Sequence, residues 1–96
     1  MPLSELFRAL SDPTRREILR ILRHGDRTAG QIADRFALAR STLSGHFRVL
    51  SHAGLIVAER RGTTIVYSLN VSAFEEAAAA VLEFFASGPR EEEVEP

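Results

Sequence analysis

Arg40-Ser41-Thr42-Leu43-Ser44-Gly45-His46-Phe47-Arg48-Val49-Leu50-Ser51-His52 is the stretch on which the reading of this chain turns. At roughly 100° per residue, Leu43, Phe47 and Leu50 fall within one narrow arc, which predicts a helix with a single core-facing side. The opposite face collects Ser41, Gly45, Arg48 and His52, with Thr42 and Ser44 on its flanks and Arg40 at the N-terminal end. No carboxylate occurs between Asp34 and Glu59, so this helix offers only neutral or positive groups to whatever it meets. His46 lies at the edge of the apolar arc and reads as a packed, hydrogen-bonded histidine. Gly54 ends the helix.

Working outward, Thr28 with Gln31 makes a capping box that opens a short helix through Phe36, with Ile32, Ala33 and Phe36 inward. Ala37 and Leu38 leave room only for a tight turn before Arg40, so the two helices form a helix-turn-helix. Upstream, Asp12 followed by Pro13 starts a helix to about Arg23 on the stripe Ile18, Leu19 and Leu22, closed by Gly25. Before it, Ser4 caps a helix from Glu5 to Leu10, with Leu3, Leu6, Phe7 and Leu10 apolar. Downstream, the runs Ile56 to Arg61 and Ile65 to Leu69, each opening on β-branched residues, flank the Gly-containing turn at 62–64 and predict a hairpin whose tip is Arg60, Arg61, Gly62 and Thr63. Ser72 with Glu75 is a second capping box, with Asn70 an alternative cap, for a last helix through about Phe85. The fold class is mainly α with a small β-hairpin: a winged helix-turn-helix in the order helices, hairpin, helix.

At 96 residues the chain supports one small core, and two-domain enzymes are excluded. Residues 1–87 are expected to form the folded domain and 88–96 a disordered acidic tail. The formal net charge of −1 conceals a segregation. Residues 1–70 carry eleven arginines against six acids, a balance of +5, whereas residues 71–96 carry Arg90 against seven glutamates, a balance of −6. An acidic end of this kind would lower non-specific association with DNA. Every basic residue is arginine, which suits bidentate phosphate or guanine recognition and equally fits a GC-rich coding bias. The absence of cysteine removes disulfides, thiolate metal sites and thiol switching together. Without a long apolar run or a leader-like N-terminus, no membrane insertion is expected and the location is taken as cytoplasmic.

Three pieces resemble the ArsR family of bacterial transcriptional repressors. Leu10-Ser11-Asp12-Pro13-Thr14-Arg15-Arg16-Glu17-Ile18-Leu19 is similar to that family's opening motif. Ser41 to Leu50 followed by Ala53-Gly54-Leu55-Ile56 resembles its recognition helix and exit, and Arg60 to Leu69 resembles its wing. The resemblance implies a homodimer in which the first and last helices pack against their partners while two recognition helices enter successive major grooves of double-stranded DNA. The residues support a dimer independently: Phe74, Ala78, Val81, Leu82 and Phe85 form one stripe that Ala77 and Phe84 widen. With Leu3, Leu6, Phe7 and Leu10 of the first helix, that is more apolar surface than a small protomer covers alone. The alternative is that both helices close the protomer's own core.

On this reading Arg40, Ser41 and Ser44 face the groove, with Thr42 next. Gly45 lies on the same face, where a larger side chain is usual in the family; it either admits the duplex closely or weakens readout. Arg48 and His52 suit phosphate, while Arg60, Arg61 and Thr63 reach the backbone or a narrow minor groove. Arg15 and Arg16 begin a helix and read as structural, paired with Asp12 or Glu17. Ala39 leaves the recognition helix without a capping side chain, a cost of roughly 1 kcal/mol unless Ser41 or the turn compensates.

Many relatives sense metals through thiolates near the third helix or His and carboxylate pairs on the last. Here Thr28 stands near the thiolate position and the last helix has glutamates but no histidine, so no metal site and no cofactor are expected. Two options remain: a repressor without an internal effector, similar to the autoregulatory branch of the family, or one relieved by an unidentified small molecule, metal or regulatory protein. A winged-helix module for protein assembly would want a neutral or acidic fourth helix, the reverse of what is present. Ser41, Ser44 and His46 do not make an enzyme, because no acid within their helix orients the histidine and an exposed helix has no pocket.

Overall fold

The computed structural model describes residues 3–87; the acidic tail lies outside the described residues. The elements run α1 (Leu3–Leu10), α2 (Pro13–Leu22), β1 (Arg27–Thr28), α3 (Ala29–Ala33), α4 (Arg40–His52), β2 (Ile56–Arg61), β3 (Thr64–Leu69) and α5 (Val71–Ala86). This is the expected winged helix-turn-helix, and α4 has the predicted limits. The hairpin is joined by β1 into a three-stranded antiparallel sheet of order β1-β3-β2.

Local signals explain most boundaries. The Asp12 carboxylate accepts from the amides of Thr14 and Arg15 at 2.8 and 3.2 Å, and Pro13 occupies the first turn of α2. Thr28 and Gln31 form the reciprocal capping box at the start of α3. In the hairpin, Arg61 pairs with Thr64 across the two-residue turn Gly62-Thr63. Gly62 has φ 65° and Thr63 does not have positive φ, the signature of a turn whose first central position favours glycine.

Four expectations are corrected. Ser4 lies inside α1 rather than capping it, because the helix already includes Leu3. Helix α3 ends at Ala33 rather than Phe36, since the chain turns through Asp34 and Arg35 to carry the half-buried Phe36 against the core. The cap of α5 is Asn70 and not Ser72, which falls in the first turn. The Asn70 carboxamide accepts from the Ala73 amide at 3.2 Å and donates to the Gly54 carbonyl at 3.0 Å, so tertiary packing selects it. Glu75 therefore has no capping task. Thr28, expected only as the cap of α3, also belongs with Arg27 to strand β1, paired with Tyr67 and Val66 of β3.

The core sits where α1, α2 and α4 meet the inner face of the sheet. Ile18, Ile32, Leu43, Leu50 and Leu55 are fully buried in it. Phe47 stacks on Tyr67 with ring centroids 4.4 Å apart, tying α4 to β3, and burial pushes the Tyr67 hydroxyl above its ordinary pKa. Ala9 is buried as well, a small residue outside the stripe of large apolar side chains on α1.

Candidate nucleic-acid interface

Helix α4 is anchored from below by Leu43, Phe47 and Leu50, which leaves Arg40, Ser41, Thr42, Ser44 and Arg48 exposed. Its N-cap Ala39 supplies no side-chain hydrogen bond, and among the described residues Ser41 does not take over the cap. Arg40 and Ser44 stand at a cleft of about 110 Å³ between α3, α4 and β3, whose floor includes Phe47, Ile65 and Tyr67. Gly45 has no positive φ, and a Cβ built there meets nothing within 4 Å. The fold does not need glycine at this position.

The wing separates two arginines that the sequence reading grouped. Consecutive strand residues point to opposite faces. Arg60 pairs with Ile65 and shares the sheet face of Ile65 and Tyr67, the face that fronts Arg40 and Ser44. Arg61 is on the outer face with Glu59, which accepts its Nε hydrogen at 3.1 Å and holds the guanidinium above its ordinary pKa. Thr63 is exposed in the turn. Arg48 lies away from the Arg40 end, lining a cleft of about 240 Å³ with Glu5, Arg8 and His52. The acid-free face of α4 thus acquires an acid from α1 at this end, which its own sequence does not reveal.

Arg15 and Arg16 are structural, as expected, but their partners are not Asp12 or Glu17. Arg16 donates to the Leu10 carbonyl at 2.7 Å, and Arg15 donates to the Ala9 and Arg8 carbonyls at 2.9 Å each. These carbonyls lie in the last turn of α1, where helical partners run out; that of Arg8 also accepts from the Ser11 amide and hydroxyl, at 3.3 and 2.7 Å. Glu17 pairs instead with Arg20. His46 is packed and hydrogen-bonded, its Nδ1 3.1 Å from Arg15 Nη1 and its Nε2 3.9 Å from the Asp12 carboxylate. Burial alone would raise the Asp12 carboxyl, but the amides of Arg15 and Thr14, aided by His46 and the Arg15 charge, hold it below its ordinary value. An acid does therefore face the histidine, supplied from the start of α2. Neither Ser41 nor Ser44 hydrogen-bonds His46 among the described residues.

The apolar residues of α1 and α5 form a second surface. Leu6, Leu10, Phe74, Ala77, Ala78, Val81 and Leu82 line a groove of about 430 Å³. Leu6 is buried at its floor, Leu3, Leu10, Phe74 and Val81 are half-buried, and Phe7, Ala78, Leu82 and Phe85 are exposed. Among the described residues no group of three or more His, Cys, Asp or Glu could hold a metal ion, and no helix is long and apolar enough to cross a membrane.

A family described as a helix-turn-helix domain matches residues 10–59. The transcriptional repressor SdpR of Bacillus subtilis is 40% identical over 86 residues, spanning 90% of this chain and 96% of that protein. The arsenical resistance operon repressor of Staphylococcus xylosus is 35% identical over 68 residues, 71% of this chain and 65% of that one. Among solved structures, the ArsR family transcriptional regulator RHA00566 superposes with a TM-score of 0.79 at 30% identity, covering 84% of this chain and 89% of that one. An ArsR-like transcriptional regulator from Rhodococcus sp. RHA1 gives 0.78 at 31%, covering 88% and 79%. A basic, acid-poor helix-turn-helix with a wing, and relatives that are DNA-binding regulators rather than enzymes, lead to one conclusion: this chain belongs to the ArsR family of winged helix-turn-helix transcriptional repressors.

Proposed function

We propose that the protein acts in the cytoplasm as a homodimer that represses transcription by occupying an imperfect palindrome in double-stranded DNA, without a metal site. The observation that carries this reading is the division of the exposed surface. Arg40 and Ser44 line one cleft, Arg60 lies on the sheet face that fronts them and Ser41 and Thr42 are exposed on the same helix, while Leu82 lines a separate apolar groove and Phe7 and Phe85 of the same two helices are exposed. The second surface suits a copy of itself, because two-fold contact covers both copies at once and sets two recognition helices about one DNA turn apart. Arg40 and the hydroxyls of Ser41, Thr42 and Ser44 then read base edges, with Gly45 admitting the duplex. Arg48, Arg60, Arg61 and Thr63 contact phosphates.

Light scattering should give a dimer mass. Binding to duplex DNA from the gene's own upstream region should be sequence-selective and fall steeply with salt, as several arginines displace counterions together. A monomer, or binding indifferent to sequence and salt, would sink the reading.

A further inference from the structure

We propose that Arg15 is a positioning residue that sets the separation of the two recognition helices, and with it the half-site spacing the protein accepts, by pinning α4 to the end of α1 through His46. This rests on the dimeric DNA-binding reading above. Arg15 joins three helices from one side chain: it belongs to α2, donates through Nε and Nη2 to the Ala9 and Arg8 carbonyls of α1, and reaches His46 of α4 through Nη1. A guanidinium can only donate, so His46 Nδ1 is the acceptor. The other ring nitrogen, Nε2, stands 3.9 Å from the Asp12 carboxylate. His46 is thereby held through Nδ1 by a residue in the first turn of α2.

The consequence follows from where these helices stand. Helix α1 contributes Leu3, Phe7 and Leu10 to the apolar surface, so in the dimer its position relative to the two-fold axis is fixed. Helix α4 contacts the rest of the protomer through Leu43, Phe47 and Leu50, and apolar packing constrains distance more than sliding or roll. Hydrogen bonds are directional, and a planar fork engaged at three points fixes direction and depth together. The Arg15–His46 link therefore transmits the geometry of the dimer face to the reading helix without touching DNA. Sequence alone could not reveal this, since the partners are six, seven and 31 positions away.

The test is selection from a library of random-sequence duplexes by the full chain, read by sequencing. Wild type should enrich one inverted repeat at one dominant spacing. His46→Leu removes the α4 end of the link and should retain the half-site while spreading the spacings. Its preference for the best over neighbouring spacings should drop about tenfold, the scale of one hydrogen bond to a charged donor. His46→Gln, whose carbonyl oxygen can accept from Arg15, should restore a single spacing. Arg15→Lys, which keeps the charge but not the fork, should broaden the spacing as His46→Leu does and gives an independent arm should His46→Leu misfold. An unchanged spacing in both His46→Leu and Arg15→Lys would overturn the proposal. So would uniform loss of half-site and spacing preference together, the mark of a merely structural role. A wild type that enriches no inverted repeat would overturn the dimeric reading itself, an outcome visible before any variant is made.

Discussion

Helices α4 and α5, of 13 and 16 residues, dispose of their apolar side chains in opposite ways. Helix α4 is the more polar, yet it buries Leu43, Phe47 and Leu50 to 7% exposure or less. Helix α5 is the more apolar, yet within the protomer it buries only Ala73 and Ala77 and leaves Leu82 and Phe85 at 70% and 76% exposure. Small residues let α5 sit close to the core, Phe74 and Val81 are half-buried against it, and Leu82, Phe84 and Phe85 point outward. The comparison teaches that the apolar content of a helix measures how much surface must be covered, not which molecule covers it. For α4 the cover is its own protomer; for α5 it is, on our reading, a second copy.

The largest expected effect breaks the comparison from the α4 side. Phe47→Ala should lower protomer stability by about 3–5 kcal/mol in denaturant unfolding, because the ring is buried against Tyr67. Leu82→Asp, by contrast, should leave the stability of the separated protomer within about 0.5 kcal/mol while abolishing the dimer mass in light scattering. Similar stability losses from both would mean that α5 is an ordinary core helix.

Within the polar side, Arg40→Ala should cost about 1–3 kcal/mol of binding and relax base preference, if Arg40 reads a base edge. Arg60→Ala should weaken binding evenly across sequences and reduce the salt slope by about one. Arg61→Ala should do less, because Glu59 already engages that guanidinium on the outer sheet face. Equal effects from Arg60 and Arg61 would erase the distinction drawn between the wing's two faces.

Asp12 lies at the joint between the two surfaces. Its folded pKa is below the ordinary value of 3.8, so its contribution to stability is fully present above that pH and is lost as pH falls through the folded value. Stability followed from about pH 5 to pH 2 should therefore drop with an Asp12 component that Asp12→Asn, still able to cap, removes. The acid limb in the variant should be shallower. An unchanged limb would show that the carboxylate's charge is immaterial there.

The smallest change is the most discriminating for the reading face. Gly45→Ala fills open space and should stabilise the protomer by about 0.5–1 kcal/mol, since glycine inside a helix is costly. If DNA affinity falls while stability rises, close approach of the duplex is the reason for glycine; if affinity is unchanged, the glycine is incidental.

Much of the fold was legible because its signals are local. The Asp12-Pro13 start, the Thr28–Gln31 box and the spacing of Leu43, Phe47 and Leu50 each place a boundary or a face within one or two turns. Two-residue β1 escaped because Arg27 and Thr28 are too few to show alternation, and strand pairing with Tyr67 and Val66 is a long-range event. Asn70 and Ser72 were equivalent as caps until the Gly54 carbonyl, which only packing brings near, favoured one.

The sequence by itself determined the order of elements, the acid-free reading helix and the apolar stripes of α1 and α5, because helical period and capping chemistry act over neighbours. Only the tertiary structure decided what those pieces do to one another. It set Arg60 beside the reading helix and Arg61 against Glu59, placed Glu5 near Arg48, and joined Arg15 to α1 and α4. The physical reason is range: a cap or a stripe is fixed by residues a turn away, whereas a guanidinium finds its partners only after distant helices have packed.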